Sequence, residues 1–258
     1  MLKKLMALHR ADWWVCLGTV GGIFLITQLI TGIALWWGDQ GTRSAPLISG
    51  TILPISTAFL VLFLVLGHVN DLFLLALRLG QTRRRALGLT LTLCALEGAG
   101  AAALSALLAW IERALLPALW LLLSGADKLV WGEVPPTPEP SLIAGNAEWQ
   151  AFLEEFRATL YLDSFALDWW WFLLLPVAGL LAGLILGAFL QRFGAKGGWI
   201  LWVIWMVVCL GPQLVGENVF FIGQWDQFGP AALIALAVFA AAAGIWSVWS
   251  LLHAVVKS

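Results

Sequence analysis

What most constrains this chain is a set of long apolar stretches at 13–37, 50–69, 86–110, 167–190, 199–215 and 229–252, in which Glu97 and Asp168 are the only charged residues. A bilayer core is about 30 Å thick and a helix rises about 1.5 Å per residue, so a crossing takes roughly 20 apolar residues. Lipid offers no hydrogen-bond partners, so only helices and closed barrels cross it. Barrel strands would alternate apolar and polar side chains over ~10 residues, whereas these runs are longer and uniformly apolar. The expected fold is therefore all-α and membrane-integral: six transmembrane helices in a single transmembrane domain spanning 1–258. Only 11% of the residues are charged, against about 25% in soluble domains.

The polar residues between the runs fix an orientation. Lys3, Lys4 and Arg10, then Arg78, Arg83, Arg84 and Arg85, then Arg192 and Lys196, then Lys257 all fall on one side of a six-span chain. That side carries only Asp12 and Asp71 as acids, and Lys/Arg enrichment marks the cytoplasm. Both termini are thus expected inside. The N-terminus superficially resembles a signal peptide, but the run from Trp13 to Trp37 is too long for one and has no small-x-small cleavage site; it reads as a retained anchor. Residues 1–12 alternate Leu and Met with Lys and Arg, which suits an interfacial helix. Many of the 17 Trp residues stand where runs end, among them Trp13, Trp14, Trp36, Trp37, Trp110, Trp169, Trp170, Trp171 and Trp199, as in an aromatic belt. Cys16, Cys94 and Cys209 all lie inside apolar runs without metal-binding spacing and read as small buried hydrophobes. A net charge of −1 gives no reason to expect a nucleic-acid partner.

Two segments outside the runs are long enough to matter. Segment 112–166 has many more carboxylates (Glu112, Asp127, Glu133, Glu139, Glu148, Glu154, Glu155, Asp163) than bases (Arg113, Lys128, Arg157). It contains an apolar stretch, 114–123, and a Pro-rich turn at 135–140. In 147–162, Trp149, Phe152, Phe156 and Leu160 recur every three or four residues, a helical spacing. The expectation is a small extracellular cap of two surface helices between spans three and four. Its carboxylates beside aromatic residues suit cationic amphipathic molecules, although the same acids also follow from orientation alone. Glu154, Glu155 and Arg157 read as a solvated face.

Segment 70–85 is the second. Asn70 and Asp71 can start a helix, and Leu72–Leu79 is apolar but too short to span. Gly80 can end it in a left-handed conformation, and Thr82 can cap the next span. An apolar helix held at the membrane surface either docks a protein partner or beds into lipid headgroups. Glu97, near the middle of the third run, is a buried acid that costs about 2.5–3.5 kcal/mol to insert; it either locks packing or lines a transport path. Gly179, Gly183 and Gly187 make a flat groove on the fourth span, as Gly18 and Gly22 do on the first, for packing within the chain or for self-association. There is no GxxxxGK[ST], no HExxH, no GxSxG and no His/Cys cluster, so neither ATP hydrolysis nor metal or serine hydrolase chemistry is expected of this chain. His9, His68 and His253 stand near the cytoplasmic interface.

The string Ala76-Leu77-Arg78-Leu79-Gly80-Gln81-Thr82-Arg83-Arg84 resembles the coupling segment of ABC type-2 export permeases. A second similarity is Arg192-Phe193-Gly194-Ala195-Lys196-Gly197 before Trp199. The resemblance implies that Asp71, Leu72, Phe73, Ala76, Leu77, Gly80, Thr82, Arg83 and Arg84 couple to a separate ATPase subunit. It implies two ATPase copies carrying the ATP and Mg, a permease homodimer, and no cofactor or catalysis in this chain. The place would be the bacterial plasma membrane, and the task export of amphipathic or antimicrobial peptides or other hydrophobic compounds. Many relatives carry their larger outer element between spans five and six; the one here, after span three, resembles small Gram-positive peptide-exporter permeases. Two other readings stay open: an intramembrane enzyme using Glu97, and a regulatory membrane protein without transport.

Overall fold

The computed structural model describes residues 10–37, 43–132, 147–164, 166–194, 196–203, 206 and 225–253. In chain order its elements are α1 (Arg10–Trp37), β1 (Arg43–Leu47), α2 (Ser49–Asn70), α3 (Leu72–Arg78), α4 (Arg83–Ala114), α5 (Leu116–Ser124), β2 (Lys128–Trp131), α6 (Ala147–Ala158), β3 (Thr159–Ser164), α7 (Trp171–Phe193) and α8 (Trp225–His253). Four stretches are long and apolar enough to cross a membrane: Ala11–Leu35, Ser49–Arg78, Arg83–Ala114 and Trp171–Phe193. The chain is thus mostly helical, with the make-up of a multi-pass membrane protein. These stretches match the first four expected spans. The expected fifth, 199–215, and the interfacial segment 1–12 lie largely outside the described residues. The expected sixth coincides with α8, whose stretch Ala237–His253 is apolar.

The chain divides into two compact units, 1–60 with 97–177 and 61–96 with 178–258. In the first, Val20 of α1, Leu53 of α2 and Ala101 of α4 form a buried core, with Phe24, Leu60, Leu104 and Leu108 packed against it. Pro54, inside α2, has no N–H to offer the carbonyl of Gly50 one turn back; Leu167 N–H donates to that carbonyl instead, at 3.4 Å.

The same unit corrects the all-α expectation. It holds a three-stranded parallel sheet ordered β1-β3-β2, with Arg43 opposite Leu160 and Leu47 opposite Ser164 on one side, and Lys128 opposite Thr159 and Trp131 opposite Leu162 on the other. The expected helix over 147–162 stops at Ala158, and Thr159-Leu160-Tyr161-Leu162 is the central strand. The reason is a switch of period. Leu160 and Leu162 are both fully buried, an alternation of two that only a strand delivers. They pack with Leu47 and Trp120. Segment 112–166 thus contains two short helices, α5 and α6, and two strands of this sheet, β2 and β3. Glu154, Glu155 and Arg157 are exposed on α6.

In the second unit, Val61, Val65, Val69 and Phe73 line one face at four-residue spacing. They bury against Ala86, Leu87 and Cys94 of α4, Leu184 and Ala188 of α7, and Leu251 of α8. Gly183 and Gly187 allow this closeness. A Cβ on Gly183 would stand 2.6 Å from the Leu62 carbonyl, and one on Gly187 would stand 2.9 Å from a Val69 methyl. Gly179 is buried on the same helix. The glycine groove therefore serves packing within the chain.

Candidate functional site

The face of α4 buried in the first unit carries polar groups at helical spacing. Glu97, Ser105 and Glu112 are 0%, 0% and 3% exposed, with Ala101 between them. At 1.5 Å per residue, Glu97 and Glu112 stand about 22 Å apart along the axis. A Cβ on Gly100, one turn beyond Glu97, would meet the Trp13 ring at 2.6 Å, so the glycine lets that indole approach the helix closely.

Glu112 is the centre of a hydrogen-bonded cluster. Its Oε1 accepts from Ser49 Oγ at 2.6 Å and from Gln28 Nε2 at 2.6 Å, and its Oε2 accepts from the Ser49 N–H at 3.1 Å. Gln28 Nε2 also reaches Ser49 Oγ, 3.1 Å away, and Thr27 Oγ1 lies 2.8 Å from the same hydroxyl. Thr27 Oγ1 also donates to the Phe24 carbonyl at 2.7 Å, so each of the two hydroxyls has one proton and two acceptors for it. One turn along α1, Thr31 Oγ1 donates to the Pro46 carbonyl at 2.9 Å. Ser49 is also the first residue of α2. The carboxylate therefore meets the positive end of a helix as well as three donors.

A cavity of about 260 Å³ opens beside this cluster, walled by Glu112, Arg113, Trp110, Leu167, Trp169 and Phe172 among others. Arg113 is exposed and makes no ion pair among the described residues. Buried polar atoms without a hydrogen-bond partner there include Gln28 Oε1, Thr57 Oγ1, Ser105 Oγ and Trp13 Nε1. The unit thus encloses a line of oxygen and nitrogen groups. Its chemistry suits holding a cation or a polar head.

The segment 70–85 takes a definite geometry. The hydrogen-bond ladder runs on from α2 into α3, Asp71 N–H donating to Gly67 O at 2.8 Å and Leu75 N–H to Asp71 O at 2.9 Å. Asp71 stands at the N-cap position of α3 without a side-chain cap bond, and Asn70 does not cap it either: its side-chain amide bonds back to Leu66 O at 2.9 Å. The end follows expectation. Gly80 has φ 81°, its N–H donating to Leu77 O and that of Gln81 to Ala76 O, the paired bonds of a Schellman motif. Thr82 O then accepts from Ala86 N–H as α4 begins.

Of the expected coupling residues, Phe73 is 1% exposed in the core of the second unit, with Ala76 and Leu77 packed against that core. Leu72 is half-buried, and Arg83 donates to Leu252 O at 3.0 Å. Asp71, Gly80, Thr82 and Arg84 are exposed. The open apolar positions are instead Leu75 and Leu79, 48% and 71% exposed. At the second similarity, α7 ends at Phe193 and Gly194 turns the chain with φ 59°. Cys16 and Cys94 are buried free thiols, and Cys209 lies outside the described residues. His68 is buried, His253 Nδ1–H donates to Trp249 O at 2.8 Å, and His9 lies outside the described residues.

Sequence reasoning missed Glu112 and Ser49. Its one available signal was Thr27-Gln28 with Thr31 one turn on, three hydrogen-bonding side chains inside an otherwise apolar run. No model of a known family, no curated protein and no solved structure matches this chain.

Proposed function

We propose that this chain is the membrane-spanning permease subunit of an ATP-driven exporter of the ABC type-2 kind. In this reading it works as a homodimer with two copies of a separate ATPase subunit, which binds the ATP and Mg. It crosses a bacterial plasma membrane six times with both termini, 70–85 and 191–198 in the cytoplasm, and 112–166 forms the extracellular cap. The observation that supports this most is the run from Leu72 to Arg84: a short helix, a Schellman turn at Gly80, and a new helix opening on three arginines. Leu75 and Leu79 lie one turn apart and exposed, beside Arg78 and Arg84. That surface fits an apolar groove with an acidic rim.

The continuous ladder from α2 into α3 supplies a mechanism. Closure of the ATPase pair displaces α3, and α3 passes the push along α2 because no break in the hydrogen bonds absorbs it. The spans shift and a pathway changes its access. The cargo in this reading is an amphipathic peptide or another hydrophobic compound. The alternative readings are an intramembrane enzyme using Glu97 and a regulatory membrane protein without transport.

The test is purification of the full chain from its native membranes. A nucleotide-hydrolysing ATPase should accompany it, and the pair Leu75→Asp and Leu79→Asp should release that ATPase while the chain stays inserted. Absence of any ATPase, or undiminished capture by the double variant, would remove the reading.

A further inference from the structure

We infer that the cavity beside Glu112 binds the head group of a zwitterionic membrane lipid, with the phosphate at Arg113 and the ammonium between the Glu112 carboxylate and the tryptophan rings. This stands apart from the exporter reading and does not need an ATPase.

Size is the first argument. At about 260 Å³ the cavity falls just under the roughly 300–1,000 Å³ of pockets for drug-sized molecules. It can take a head group with the start of its chains, and is too small for a folded peptide. Charge is the second. The wall places a carboxylate and a guanidinium on successive residues. Among the described residues Glu112 Oε2 accepts one bond, from Ser49 N–H at 3.1 Å, so it keeps acceptor capacity for an ammonium. Arg113 is exposed, and a guanidinium fork matches phosphate oxygens two at a time. A head group bearing phosphate alone would bring its charge up to Glu112 without compensation. One bearing an ammonium alone would leave Arg113 unmatched.

Position is the third argument. Trp110 and Trp169 are 62% and 77% exposed at the cavity, and exposed indoles at helix ends mark the headgroup level. Their faces also attract an alkylammonium. On the flanking helices, Leu107 of α4 and Leu173 of α7 are exposed apolar side chains, a surface along which acyl chains can lie. A soluble zwitterion would have no use for that surface.

The experiment uses the full chain in mild detergent, with bound lipid counted by native mass spectrometry against added phosphatidylethanolamine or phosphatidylglycerol. Phosphatidylethanolamine should be retained about ten-fold more tightly. Arg113→Gln should remove that preference, Arg113→Lys should keep part of it, and Trp169→Ala should weaken retention about three-fold. Both side chains are exposed, so unchanged thermal unfolding of the variants is expected and checks that folding is not the cause. Equal retention of the two lipids by the natural chain would overturn the inference, as would full preference in Arg113→Gln. Free phosphoethanolamine binding as tightly as the lipid would overturn the lipid assignment.

Discussion

Glu112, near the end of α4, is 3% exposed and takes its hydrogen bonds from two other segments of the chain. Replacing it with Leu would strand the buried Ser49 N–H and leave the Gln28 amide only the Ser49 hydroxyl as acceptor. We expect a loss of about 3 kcal/mol of stability, read as a lower unfolding midpoint in detergent. Glu112→Gln keeps one acceptor oxygen and should lose about half as much, while Ser49→Ala keeps the backbone donor and should lose about 1 kcal/mol. Glu112→Leu unfolding at the same temperature as the natural chain would show that the cluster adds nothing. The two buried acids were not equally legible in the sequence. Glu97 has apolar neighbours on both sides and can only be buried. Glu112 closes its apolar run and precedes Arg113, which is how a solvated helix end looks. Its partners lie 63 and 84 residues away in sequence, so no local pattern could reveal them.

At the level of elements, the helices were legible and the strands were not. Uniform apolar runs leave no alternative to helix in lipid, and the four described spans fall where the runs do. β1 reads Arg-Ser-Ala-Pro-Leu and β2 has only four residues, too short to show a period. Phe156 and Leu160, four apart and both buried, satisfy a helix as well as a helix followed by a strand. Only the full burial of Leu160 and Leu162 together distinguishes the two. The glycine groove on α7 had two uses open to it, and packing within the second unit is the one observed. Gly183→Ile would force a Cβ to within 2.6 Å of the Leu62 carbonyl and 2.8 Å of Val65 Cβ. Overpacking of this kind costs about 1–3 kcal/mol, so the unfolding midpoint should drop. An unchanged midpoint with loss of self-association would return the groove to the dimer interface. On α3, the contrast is between Phe73 and Leu79. Phe73→Ala should cost about 3–5 kcal/mol as a core truncation, and Leu79→Ala should cost almost nothing, since its side chain is already in the open.

For the molecule as a whole, α4 decides more than the count of spans does. It runs unbroken from Arg83 to Ala114, 32 residues, about 48 Å at 1.5 Å per residue, and exceeds the roughly 30 Å hydrocarbon core. If it crosses the bilayer, Thr82 and the sheet-bearing segment after Ala114 stand on opposite sides, whatever happens beyond α7. Charge then chooses the sides. Arg83, Arg84 and Arg85 crowd one end of the helix, and the other end has Glu112 beside Arg113 and then the acids of α6. Lys and Arg are retained on the cytoplasmic face, so the proposed reading puts Thr82 inside and Glu154 outside. The segment after 199 was legible only as composition, because an apolar run states that a helix can cross but not what it packs against. A labelling experiment separates these claims. With Cys209 changed to Ser, and Cys16 and Cys94 left buried, a membrane-impermeant maleimide added to intact cells should modify Glu154→Cys. It should modify Thr82→Cys only after the membrane is opened, since both positions are exposed on the protein itself. Modification of both from the same side would mean that α4 does not cross, and modification of Thr82→Cys alone would mean that it crosses in the opposite direction.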